Sequence, residues 1–200
     1  MIGPFEADDA ATPLTPAERD GLIPTHVTLR GELNELEQRN ITDANAWVFE
    51  RKRNVLDEAF LRGLHRRMFN KVWRWAGDYR KTERNLGVKP YLIQPELVQA
   101  INDARFWVEH DSYKPDELAV RFHHKAVLVH PFANGNGRWA RLAADLLVVG
   151  QGGSRFSWGA ANLQKSGDER KAYINALHAA DNQDVAPLIA FARSVSDFRT

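Results

Sequence analysis

The 200-residue chain has no cysteine, which excludes disulfides, thiolate metal sites and cysteine nucleophiles. It also lacks any run of about eighteen apolar residues, and its first residues lack the basic, apolar, small-residue order of an export signal. Neither a membrane span nor secretion is expected, and the compartment that follows is the cytoplasm. A strong charge of one sign is missing too, since 27 Lys and Arg against 26 Asp and Glu leave a formal net charge of +1. Internal repeats and low-complexity tracts are absent. What is there, 44% hydrophobic and 26% charged residues, describes a single globular domain with one core, too short for a second catalytic domain.

The near-zero balance hides an asymmetry. Residues 1–37 hold eight acidic residues against Arg19 and Arg30, whereas residues 51–84 hold eleven Lys and Arg against Asp57, Glu58, Asp78 and Glu83. Charge blocks are most often solvated faces, and a basic one can be a nucleic-acid footprint, which is not the expectation here. A third option is attraction within the molecule, with an acidic N-terminal arm lying across a basic site. Pro4, Pro13, Pro16 and Pro24 make the first twenty-odd residues read as an extended arm.

Nearly all the periodicity is helical. Leu29, Leu33 and Leu36 form one stripe, Phe60, Leu64 and Met68 a second, and Leu97, Ile101, Ala104 and Val108 a third. Tyr173, Ala176, Leu177 and Ala180 recur at i, i+3, i+4 and i+7, with Ser166 and Glu169 as a capping-box pair ahead of them, and Val185, Leu188, Ile189 and Ala192 mark a last helix. The exception lies between Arg80 and Pro95. There Asn85 and Gly87 suggest a turn and Tyr91 to Ile93 a short strand, which together predict a β-hairpin.

The segment His130-Pro131-Phe132-Ala133-Asn134-Gly135-Asn136-Gly137-Arg138-Trp139-Ala140-Arg141 gathers a proton acceptor, an anion cradle and two cations. Gly135 and Gly137 allow a turn whose N–H groups point inward at an anion. Leu142, Leu146 and Val149 then predict a helix whose positive N-terminal end faces the same anion. Arg138 and Arg141 lie three residues apart on its first turn, where two guanidinium forks can grip adjacent phosphates. Phe132 reads as an anchor to the core. His123 and His124 precede the loop on a helix, where neighbours point about 100° apart, so the two cannot both face one site.

That string resembles the signature of the Fic/Doc family, His-Pro-Phe-x-Asp/Glu-Gly-Asn-Gly-Arg-x-x-Arg. It departs from it at Asn134, where the family usually has a carboxylate. Leu64-His65-Arg66-Arg67-Met68-Phe69 and Trp75-Ala76-Gly77-Asp78-Tyr79-Arg80 look like the lead-in to the active loop of these domains. The resemblance covers about residues 55–180 and is nearest to the short bacterial group labelled mobile mystery protein B. It implies an all-α fold, a helical bundle with a small β-hairpin flap, as one compact unit. Residues 1–54 would form an arm and an inhibitory-type helix, and residues 55–200 the catalytic part.

The activity implied is protein adenylyltransferase: transfer of AMP from ATP to a Ser, Thr or Tyr hydroxyl of a target protein. His130 is the implied general base. Asn136 and the Gly135–Gly137 backbone would hold the α- and β-phosphates, Arg138 the β-phosphate and Arg141 the γ-phosphate. Tyr173 is a candidate for the adenine pocket or for the core. In the family the carboxylate at the position of Asn134 binds Mg²⁺, and an amide oxygen is a weaker ligand for a hard cation. The flap, here about Thr82 to Ile93 with Asn85, Gly87 and Tyr91, would hold the target segment by strand addition.

Many Fic proteins also carry an inhibitory motif, Ser/Thr-x-x-x-Glu-Gly/Asn, whose glutamate pairs with the last arginine of the loop. Thr28-Leu29-Arg30-Gly31-Glu32-Leu33-Asn34 is similar, with Leu33 as a departure. Glu32 would sit about 65° from the centre of the leucine stripe, facing Arg141, with Glu35 turned farther out. A small antitoxin-like chain is a further partner that the resemblance allows. Two other readings stay open: transfer of phosphate or another nucleotide to a protein, and a non-catalytic nucleotide-binding module.

Overall fold

Helix-forming stripes become helices almost everywhere they were expected. In this computed structural model, which describes residues 14–160 and 167–194, the α-helices are α1 (Pro16–Arg19), α2 (Arg30–Phe49), α3 (Glu58–Phe69), α4 (Ile93–Glu109), α5 (Pro115–Val129), α6 (Asn136–Gly150), α7 (Asp168–Asp181) and α8 (Ala186–Arg193). Two short 3₁₀ turns lie at Pro90–Leu92 and Trp158–Ala160. No helix among the described residues is long and apolar enough to cross a membrane.

The ends of these helices follow from their sequences. Asp57 accepts the Phe60 N–H at 2.7 Å and starts α3. Pro115 stands at the first turn of α5 with Asp116 and Glu117, where its missing N–H is not needed and acidic side chains favour the helix dipole. Thr15 and Glu18 form a reciprocal capping box on α1, so part of the expected extended arm is a single helical turn. The N-cap of α7 is Gly167, with no side-chain bond. The expected capping box of Ser166 and Glu169 rests on Ser166, which lies outside the described residues.

Helices α5 and α6 form the centre, joined by the loop of interest. The hairpin α2–α3 packs on one side, α4 lies along α5, and α7–α8 close the other end. On α2 the buried stripe is Leu33, Glu37, Asn40, Ile41, Ala44 and Val48, a helical spacing with two polar members. Asn40 Nδ2 donates to the Arg67 carbonyl at 2.9 Å and its Oδ1 accepts from Lys71 N–H at 2.9 Å, closing the C-terminal end of α3. Between the packed helices sit Trp73, Trp139, Phe69, Phe122 and Phe132, all fully buried.

The expected β-hairpin is not formed. Residues 81–89 run as bends without helix or strand, Pro90–Leu92 is a 3₁₀ turn, and Ile93 opens α4 as a fully buried residue. The reason is local. Pro90 has no N–H to give a ladder and its fixed φ suits the first turn of a helix, while the apolar Leu92–Ile93 pair leads into the α4 stripe. β-pairing among the described residues is confined to isolated antiparallel bridges, Leu22 with Trp73 and Tyr79 with Phe132.

Replacing Asn40 by Ala would leave the Arg67 carbonyl and the Lys71 N–H without partners in a partly buried site. Each such group costs about 1–3 kcal/mol. Urea unfolding should show a loss of about 2 kcal/mol or more, whereas Thr42→Ala on the exposed face of α2 should change stability by less than about 0.5 kcal/mol.

Candidate active site

Helix α5 ends at His130 because a residue before proline is disfavoured in the α region. His130 adopts a left-handed backbone, φ 51° and ψ 59°, which costs about 1–3 kcal/mol at a non-glycine residue unless its surroundings hold it. They do. The Arg80 Nε donates to the His130 carbonyl at 2.7 Å, and the Arg80 N–H donates to the Pro131 carbonyl at 2.9 Å. His130 is 9% exposed. Burial first, and then the Arg80 and Arg84 charges, lower its pKa to about 4, so the imidazole is neutral at pH 7.

The next residues dive into the core. Phe132 is fully buried and its ring stacks on His65 at 3.7 Å between centroids. Asn136 accepts the Phe132 N–H and donates to the Phe132 carbonyl, each at 2.8 Å. Its side chain, expected at the phosphates, is therefore committed to the loop, and only its backbone N–H is left to face a ligand. Gly135 is the αL residue that starts α6, with φ 80°. A Cβ there would lie 2.5 Å from the Phe69 ring, so a side chain is excluded twice over. Gly137 differs from the expected turn residue: it lies inside the first turn of α6, where a Cβ would meet only the Arg141 guanidinium at 3.7 Å.

Arg138 and Arg141 leave that first turn as expected but have different partners. Arg138 Nη1 lies 2.7 Å from Glu37 Oε2, with both side chains largely buried. Arg141 is held by the Tyr173 hydroxyl, which also bonds His123 Nε2 at 2.9 Å. Tyr173 is thus a core residue that ties Arg141 to α5. His124 bonds Asp181 at 2.8 Å. Both histidines ahead of the loop therefore serve packing, each on its own side of α5.

The proposed inhibitory residue, Glu32, does not reach Arg141. Its carboxylate accepts the N–H groups of Thr28 and Leu29 at 2.9 and 3.1 Å, and these bonds lower its pKa. Glu32 lies in the first turn of α2, which starts at Arg30, and a carboxylate there is drawn to the unpaired N–H groups rather than held to the wheel of a helix interior. The buried carboxylate is Glu37, five residues on, which accepts the Trp73 Nε1–H at 2.7 Å as well as pairing with Arg138. Its sequence signal was its place on the stripe, four residues after Leu33 and four before Ile41.

The segment expected as the flap does border His130. Gly87 has φ 95°, and a Cβ on it would fall 2.5 Å from the His130 Cβ. The Val88 N–H donates to the Val129 carbonyl at 3.4 Å. Thr82 and Arg84 are tied to Glu18 of α1, so the N-terminal arm does meet the basic block. Asn85 and Leu86 are exposed, Tyr91 is exposed on the 3₁₀ turn, and Ile93 belongs to the core. One further residue was in view in the sequence but without a role. His65 accepts the Gly77 N–H at its Nδ1 at 3.0 Å, which leaves Nε2 to donate to the Asn134 carbonyl at 3.0 Å.

A protein-held Mg²⁺ does not fit these donors. The Asn134 Oδ1 accepts the Gly135 N–H, so the one expected ligand is both uncharged and turned back on its own loop. The described residues contain no group of three or more His, Asp or Glu arranged to hold a metal ion, and a hard cation needs several oxygen ligands.

Comparison with known proteins agrees on one family. Residues 55–148 match the Fic/DOC family. The protein adenylyltransferase fic-1 of Caenorhabditis briggsae is 32% identical over 126 residues, covering 61% of this chain and 23% of that one. The probable protein adenylyltransferase y4lH of Sinorhizobium fredii is 27% identical over 181 residues, covering 83% of this chain and 89% of that one. Among solved structures, BepC of Bartonella tribocorum with bound AMPPNP is similar with a TM-score of 0.64 at 19% identity, over 90% of this chain and 97% of that one. At that identity the likeness is one of fold. This chain spans only 23% of the length of the nematode relatives.

Three buried imidazoles are kept neutral mainly by burial: His65 and His123 with pKa values of about 3, and His130 at about 4. In the unfolded chain each takes up a proton as the pH falls through about 6.5. The unfolded state then binds more protons than the native one, so this contribution to stability is complete above pH 6.5 and is lost as the pH falls towards 4. The slope is at most about 1.4 kcal/mol per pH unit for each imidazole. Urea unfolding between pH 6 and 5 should show this loss, and His65→Gln should reduce the slope by about one proton. A flat profile would show that these histidines titrate alike in both states.

Proposed function

We propose that the chain, whose residues 55–148 match the Fic/DOC family, is a protein adenylyltransferase that moves AMP from ATP to a hydroxyl side chain of another protein. The observation that carries this reading is the junction of α5 and α6. A neutral histidine ends one helix directly ahead of the open N-terminus of the next, from whose first turn Arg138 and Arg141 extend. The names of the relatives and the nucleotide in the BepC structure support the same substrate class. The short mobile mystery protein B group is the subgroup this sequence fits.

In this mechanism His130 takes the proton of the target hydroxyl as its oxygen attacks the α-phosphorus. The bond from that phosphorus to the bridging oxygen breaks, and pyrophosphate leaves. The N–H groups at the start of α6 and the two guanidinium groups stabilise the phosphates, where most of the catalytic effect of phosphoryl-type transfer resides. A base with a pKa of about 4 is weak. Bound phosphates would counter the fields of Arg80 and Arg84 and raise it towards the working pH, so nucleotide binding would itself ready the base. Magnesium would enter with the nucleotide as part of the substrate.

Restraint in this reading comes from Glu37. Its carboxylate occupies Arg138, a cation that the phosphates need, and ATP has to displace it. The second reading, a nucleotide-binding module without transfer, is favoured by the amide at Asn134. ATP labelled at the α- or the γ-phosphate, incubated with the protein and a cell lysate, separates the cases. An α-label on protein means AMP transfer, a γ-label means phosphate transfer, and no label means a binder.

His130→Ala should lower α-labelling by about 10²–10⁴-fold with the melting curve kept cooperative. Glu37→Gln should raise it by about tenfold or more, equivalent to about 1.4 kcal/mol, while Glu32→Gln leaves it unchanged. Equal labelling by wild type and the Glu37 variant would remove Glu37 as the restraint.

A further inference from the structure

Arg80 stands out among the cations for its partners. It is 4% exposed, and among the described residues no carboxylate forms an ion pair with it. Its guanidinium is spent on backbone carbonyls instead: Nε donates to His130 at 2.7 Å, Nη1 to Thr82 at 2.8 Å, and Nη2 to Val88. One planar fork thereby joins three points of the chain, the end of α5 and both limbs of the segment 82–88 that borders it. The cost of burying a charge is met by these dipoles. The geometry also explains why residues 82–88 form no strand pair, since carbonyls on both limbs turn inward to Arg80.

We propose that Arg80 is a positioning residue for the transfer reaction: its fork holds His130 in its left-handed backbone and fixes the segment 82–88 at the distance where an incoming hydroxyl meets the imidazole. This rests on the reading of His130 as the proton acceptor. Lysine cannot replace it, because an ammonium is a compact point charge on a flexible stem and cannot bridge three carbonyls in one plane. The same guanidinium lies close enough to His130 to favour the neutral imidazole, together with Arg84, while a bond with the Val127 backbone acts in the opposite direction. Burial first and then Arg84 lower the Arg80 pKa, against the opposing charges of Glu83 and Glu18.

The test uses the full chain with Arg80→Lys, which keeps the charge and loses the fork, and Arg80→Gln, which loses both. In both variants the turnover of α-labelling should fall at least tenfold with the KM for ATP changed less than threefold, and the Val88 amide should exchange with solvent at least tenfold faster. The two variants separate in an NMR titration of His130. Its midpoint should stay near the wild-type value in the Lys variant and move up in the Gln variant, with burial and Arg84 still holding it below the free value. Wild-type turnover and wild-type Val88 exchange in Arg80→Lys would overturn the proposal. A wild type that labels nothing would instead remove the transferase reading, and the exchange and titration would still decide the role of Arg80. Should both variants fail to fold, the wild type alone decides. At low temperature the Arg80 Nη–H protons should give separate signals, because a locked fork cannot rotate, and one averaged signal would overturn the proposal.

Discussion

Residues 130–136 cross the interior of a helical bundle as a loop, and a loop in that position must find a partner for each buried backbone polar group. Three side chains from three parts of the chain provide them. Arg80 takes the His130 carbonyl, Asn136 takes both polar groups of Phe132, and His65 takes the Asn134 carbonyl. The stacking of Phe132 on His65, with Trp139 against Phe132 at 5.1 Å, packs the same loop from below. Buried polar networks of this kind are worth having only when they are complete, since one missing member leaves the others unsatisfied at low dielectric. The geometry of His130 and of the α6 N-terminus depends on these bonds.

Electrostatics follows from the same burial. The loop brings Arg80, Arg84, Arg138 and Arg141 around three imidazoles that desolvation keeps uncharged. A site with fixed cations and neutral bases attracts a polyanion and leaves a proton acceptor free. The acidic N-terminal part answers this field within the molecule, Glu18 at Arg84 and Glu37 at Arg138. Of the three meanings that the charge asymmetry admitted, attraction within the chain is the one with ion pairs to account for it. In the transferase reading proposed above, a nucleotide would compete with the Glu37–Arg138 pair.

The mistaken expectations share a cause. The patterns behind Glu32 and the hairpin hold inside regular elements, and both the residue and the segment fall at the edge of one. At a helix start the unpaired N–H groups attract the nearest carboxylate, which redirected Glu32. At Pro90 a missing N–H and a fixed φ turned an apolar run into the first turn of α4. The family resemblance places Asn136 at the phosphates, but an amide with both a donor and an acceptor suits a backbone pair, and Phe132 offers one four residues away.

The sequence by itself determined the helices, the glycine-assisted turn, the termination of α5 before Pro131 and the cations that follow it. These depend on residues within a few positions of one another, so their physics is readable along the chain. Tertiary structure alone decided which glutamate meets which arginine, which histidine holds the loop and what Arg80 binds. Those partners are 101, 69 and 50 residues apart. Many carboxylates and histidines are chemically competent for each role, and only the packing of α2, α3 and α6 brings one of them within 3.0 Å while taking its competitors into solvent or to a helix cap.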